Sequence, residues 1–208
     1  MPHSFDRAIA LDRIDADTVR GATHPHFANM VGPFGGITAA VLLHAAQTHP
    51  ERIGDPLALT VNFAGPVTDG AFDVTARAAR TNRSTQHWML ELTQGGETKT
   101  TATAVFGAHR DTWADTEPTA PDAPAPEGVA RGGLMESIAW AQRYDMRFTA
   151  GPPPTDGQPS PSSTTTLWVR DDAERPLDFP GLAALSDVFY PRVFLRRGGF
   201  IPASTISL

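Results

Sequence analysis

Apolar residues fill almost the whole circumference of one stretch, residues 32–49 (GPFGGITAAVLLHAAQTH). Ile37, Ala40, Val41, His44 and Ala45 share one stripe, and Ala39, Leu42, Leu43 and Ala46 widen it. A helix apolar nearly all round is buried, so the pattern predicts a central, enclosed helix. Pro33 suits the first turn, where its missing N–H costs nothing. Gly35 and Gly36 are poor interior helix formers. Paired at the helix entrance, they predict close approach of another backbone or of a ligand.

Strand patterns surround this helix. Residues 5–14 and 17–23 are predicted as two short strands with a turn at Asp15-Ala16. In residues 57–64, Leu57, Leu59, Val61 and Phe63 alternate with Thr60 and Asn62. Residues 71–78, 85–93 and 98–106 continue the series, with Gly95-Gly96 as a hairpin turn and a threonine-rich last strand of high β propensity. Residues 111–128 lack an apolar period and are rich in Pro, Ala, Asp and Thr, which predicts an extended linker. Beyond it the pattern gives a short helix over 133–140, strands over 144–150 and 164–171, and a helix over 179–195. That helix carries Leu182, Leu185, Val188, Phe189 and Phe194; the start of another strand follows over 200–208. The order strand, strand, helix, strand thus occurs twice. The reading is an α+β chain with an N-terminal unit (1–110), a linker (111–130) and the first part of a second unit (131–208). A unit ending one strand after its helix cannot cover that helix alone, so further chain or a partner is expected to complete it.

Composition narrows the chemistry. A net charge of −6 over 208 residues, with no basic cluster beyond Arg196-Arg197, argues against nucleic-acid binding. The absence of cysteine excludes disulfides, thiolate metal sites and a cysteine nucleophile. No stretch is apolar enough for a signal peptide or a bilayer span, so a soluble, cytoplasmic protein without membrane attachment is expected. His24 and His26 could share a face toward a metal, but lack an acidic or third imidazole partner nearby. They are read as a polar loop, and no metal or other cofactor is expected. His44, among apolar neighbours, is read as a core histidine.

Three local patterns resemble the double-hotdog acyl-CoA thioesterases of the thioesterase II type and related thioesterase-like proteins. Phe34-Gly35-Gly36 is similar to the family's F-G-G step at the first helix. Thr81-Asn82-Arg83-Ser84 resembles its G-R-S hairpin start, with Asn82 in place of Gly. Leu185-Ser186-Asp187 resembles its A-S-D motif, whose Asp is catalytic. The resemblance implies a hotdog fold, an antiparallel sheet wrapped around a long central helix, with two such units in tandem. It also implies hydrolysis of fatty acyl-CoA to free acid and CoA, and homo-oligomers formed through the hotdog sheets. The family completes its site with a Thr and a Gln from later strands of the second unit, which are expected beyond Leu208.

With no cysteine and no serine in a nucleophile turn, water activated by Asp187 as general base is the expected mechanism. The competing reading places Asp187 on the solvent face of a helix, held by Arg192. The Gly35 and Gly36 amides could polarise a thioester carbonyl, or the glycines could serve packing alone. Phe34 joins them as a substrate-binding candidate. Asn29 could donate to the same carbonyl, or belong to a loop. The alternative at the level of function is a non-catalytic acyl-CoA or acyl-carrier binding protein. A hotdog hydratase is disfavoured, because Arg192 stands five residues after Asp187 where that class carries a His.

Overall fold

The structure is a computed structural model, and it describes residues 2–132 and 138–208. The helix predicted over 133–140 lies mostly outside the described residues. Its last position begins a 3-10 turn, Trp140–Arg143.

Helix α2 (Gly35–Gln47) is the centre of the fold, with ten of its thirteen residues buried. Around it curls a six-stranded antiparallel sheet built from β1 (Asp12–Arg13), β2 (Thr18–Ala22), β3 (Asp55–Phe63), β4 (Ala71–Thr81), β5 (Thr85–Gln94) and β6 (Glu97–Gly107). The order is β1-β2-β4-β5-β6-β3. This is the hotdog arrangement the resemblance implied. The core between helix and sheet holds Leu42, Val61, Val74, Trp88, Leu92 and Phe106, all essentially inaccessible. Alternation works on β4 and β5, where every second residue is buried. Gly95 and Gly96, at φ of 63° and 81°, form the β5–β6 turn that needs two left-handed residues. On β3 only Val61 is fully buried, and Leu57 is 66% exposed. The pairing of β3 with β6 shifts register between Pro56 and Ala58, beside Leu57.

The first strand predicted from sequence is not formed. Residues 5–14 open instead with helix α1 (Ser4–Ala8), then give the two residues of β1. His3 caps α1 through its Nδ1, which accepts from the Phe5 amide at 3.1 Å. Phe5, Ala8 and Ile9 are buried. Their i, i+3, i+4 spacing is helical.

The second half places β7 (Tyr144–Ala150) and β8 (Thr166–Asp171) in a two-stranded antiparallel sheet. The linker is not a free tether. The Trp168 indole donates to the Pro124 carbonyl at 2.9 Å, and Arg147 donates to those of Pro126 and Val129 at 2.8 and 3.3 Å. The single helix predicted over 179–195 is two, α3 (Phe179–Leu185) and α4 (Val193–Arg197). Helix α3 ends at Leu185, and Pro191 stands before α4, where a proline suits the approach to a helix but not its interior. Asp178 caps α3 by accepting from the Gly181 amide at 2.9 Å. Arg175 then joins Asp178 to Asp6 and covers the Phe5 ring, tying α1 to the start of α3.

Helices α2 and α3 pack antiparallel. The start of α2 meets the end of α3 at Gly36 and Ala184, while His44 near the end of α2 senses Asp178 at the start of α3. The last residues then return to the first unit. Phe63 donates its amide to Ile206 at 3.0 Å, and Val61 and Leu208 exchange both backbone bonds at 2.8 and 2.9 Å. The start of a strand predicted over 200–208 is therefore an extension on the free edge of β3.

Burial on α2 sets the stability of the fold. Leu42→Ala is expected to cost about 2–5 kcal/mol through lost burial and a residual cavity. Leu57→Ala, at an exposed position, should change stability by less than about 0.5 kcal/mol. Urea unfolding of both variants followed by circular dichroism checks the contrast.

Candidate functional site

The start of α2 is built for close contact. Phe34 occupies the cap position with no side-chain cap, and the Ile37 and Thr38 amides both turn back to its carbonyl. At Gly36 a methyl group would collide with the Ala184 carbonyl and the Phe34 ring. At Gly35 it would stand 2.5 Å from Asp187 Oδ2 and 3.2 Å from the edge of the Phe63 ring. Two glycines are needed because a helix end and a carboxylate occupy the space where side chains would be.

Asp187 lies just past α3, in a tight turn where its amide bonds back to the Ala184 carbonyl at 3.3 Å. It is not in a helix interior, as the sequence predicted, and its carboxyl is not on a solvent face. Arg192 does not hold it. That guanidinium donates to the Tyr190 carbonyl and lies over the Phe189 and Tyr190 rings. Burial without a cation pushes the Asp187 carboxyl up to about 6. The neighbouring Gly36 amide and Thr205 hydroxyl pull the other way.

Thr205 is the residue that sequence reasoning missed. The family's threonine is expected beyond Leu208; the Thr205 hydroxyl, within the chain, lies beside Asp187. The local signal was the alternation of Thr205, Ile206 and Ser207 into a strand. What fixes the position is the pairing of Ser207 with Asn62, a contact no local pattern contains.

The structure brings together Gly35, Gly36 and Asp187. Of the other two candidates, Phe34 lies with its ring against Gly36 but faces the core, and Asn29 does not join them. The Phe34 ring is 2% exposed and stacked on Trp140 at 4.1 Å, so it anchors the helix start inside the core. Asn29 is exposed in a tight turn closed by its amide bonding to the Gly32 carbonyl at 2.8 Å. His24 accepts from the His26 amide, as a turn cap does. Among the described residues, no group of three or more His, Asp or Glu gathers to hold a metal.

Family models match most of the chain. A model of the acyl-CoA thioesterase N-terminal domain matches residues 23–107, and one of the acyl-CoA thioesterase C-terminal domain matches residues 114–208. The chain belongs to the acyl-CoA thioesterase family. Among solved structures, this thioesterase-family chain is similar to a conserved protein of unknown function with a hotdog fold from Alicyclobacillus acidocaldarius. Identity is 47% over 100% of this chain and 77% of that one, with a TM-score of 0.92. It shares the fold of a thioesterase II candidate from Thermobifida fusca YX, at 18% identity over 98% of this chain and 80% of that one, TM-score 0.81. It also shares the fold of the TesB protein of Mycobacterium avium subsp. paratuberculosis, at 19% identity over 98% and 76%, TM-score 0.78. None of the curated proteins matches the chain. No described helix is long and apolar enough to cross a membrane.

A raised carboxyl destabilises the fold wherever it is charged in the folded state. Between the ordinary value of 3.8 and about 6, the folded protein holds a proton that the unfolded chain has released. Stability therefore falls as pH rises through that window and is level above it. Asp187→Asn removes the effect. The variant should be more stable than the parent at pH 7, by up to about 3 kcal/mol. The gain should shrink toward pH 4. Thermal unfolding of both proteins across pH 4–8 measures it.

Proposed function

We propose that the protein hydrolyses acyl-CoA thioesters, with Asp187 as general base and water as nucleophile. What supports this reading is a half-buried carboxylate, with no cation beside it among the described residues, seated on the glycine-lined start of a buried helix. A base that is ionised above about 6 is matched to water activation at neutral pH.

In this mechanism Thr205 and Asp187 hold a water between them. The Gly36 amide keeps the carboxylate in place. The Gly35 N–H, at the first helical position, has no intrahelical partner and is free to meet the developing oxyanion. As water attacks, its oxygen bonds to the acyl carbon and its proton passes to Asp187. Collapse of the tetrahedral intermediate breaks the carbon–sulfur bond. Asp187 returns the proton to the departing sulfur, leaving free acid and CoA. The substrate is an acyl-CoA, and the protein acts without a cofactor, in the cytoplasm.

Asp187→Asn keeps the shape of the side chain and removes the base. It should lower kcat by about 10²–10⁴-fold, with acyl-CoA binding retained. Thiol release from acyl-CoAs of increasing chain length reads the loss, and calorimetry with a non-hydrolysable thioether analogue reads the binding. Activity within threefold of the parent would sink the reading. A parent that binds the analogue but releases no thiol would make it a non-catalytic acyl-CoA protein. In the parent, kcat/KM should rise through pH about 6 and level off above it.

A further inference from the structure

Phe63 ends β3, its side chain half-buried against the core. Its backbone amide bonds to Ile206, the neighbour of Thr205. The edge of its ring and Asp187 Oδ2 lie 3.2 and 2.5 Å from one point above Gly35, so they are no more than about 6 Å apart. A ring there occupies space that water would otherwise take beside the carboxylate.

Among the described residues, no charged side chain competes with this effect from the elements around the site. On α2 the nearest titratable group is His44, more than two turns along the helix. On β3 it is Asp55, at the opposite end of the strand. Helix α3 and residues 199–208 carry none, and Asp178 lies at the far end of α3. Arg192, closest in sequence, is committed to Tyr190. Exclusion of water is what remains to set the character of this base.

We propose that Phe63 is the residue that shields the Asp187 carboxylate from water and so fixes its strength as a base. The inference rests on the reaction proposed above. Phe63 touches no reacting atom. It is a positioning residue, acting through Asp187 and through its backbone bond to the segment that carries Thr205.

Phe63→Asn admits water at the ring's place, while Phe63→Leu keeps the place apolar. In the parent, kcat/KM at pH 5 is expected to be about a tenth of its plateau, as for a base ionising near 6. Phe63→Asn should move the inflection down by about one unit, so that pH 5 activity reaches about half of its own plateau. Its plateau should fall roughly three- to tenfold as the base weakens. Phe63→Leu should leave the inflection where it was. An unmoved inflection in Phe63→Asn overturns the proposal, because lost packing alone lowers the plateau without shifting the profile. If Phe63→Asn does not fold, Phe63→Ala is read by the same criterion. Direct titration of the Asp187 carboxyl by carbon-13 NMR in the parent and the variant separates this proposal from the reaction. A titration shift without thiol release would uphold Phe63's role and sink the thioesterase reading. Thiol release with no titration shift would do the reverse.

Discussion

A carboxylate can rest this close to the start of α2 only where the helix presents no Cβ. Gly35 and Gly36 meet this condition, and the close contact of Gly36 with the Ala184 carbonyl turns it into a geometry. That contact fixes how α2 and α3 cross, and the crossing sets Asp187 beside Gly35. Because α2 is enclosed by the sheet and α3 reaches it from the second half, the site belongs to neither half alone. At the opposite end of α3, Arg175 ties Asp178 to Asp6 and so to α1.

The electrostatics of the site follow from what is missing around it. Elsewhere several acids lie against cations. Asp145 lies against Arg147 and Arg170, and Asp73 against Arg20, and in each case the carboxyl is held below its usual range. Asp187 meets only a backbone amide and a hydroxyl, and burial prevails over them. A fold selected for stability alone would give such a group a cation or place it in water. In the proposed reaction, keeping it half-buried and unpaired is a cost with a chemical use.

The sequence revealed these features unevenly. The central helix, its glycine pair and both hairpin turns were legible, because each depends on residues within a few positions of one another. Asp187 came from the resemblance to a motif, and its surroundings could not be read locally. Helix α1 was mistaken for a strand because five residues are too few to display a period. The run 179–195 passed for one helix because its apolar spacing continues across Pro191. Thr205 was overlooked because its place depends on β3, far back in the chain, and no local pattern records such a pairing. Phe34 misled in the opposite direction, since its motif borders the site while its ring lies in the core.

The return of Ile206–Leu208 to β3 has a consequence for the order of folding. The bond between Phe63 and Ile206 spans 143 positions of sequence, while the β4–β5 and β5–β6 hairpins close over a few. Loop-closure entropy makes distant pairings form late. The first sheet can therefore assemble with β3 as an open edge, and such edges invite pairing with other chains until they are covered. Closure of that edge and delivery of the Thr205 hydroxyl are one event. A molecule caught before it would lack the Thr205 hydroxyl beside Asp187 and would be prone to aggregate.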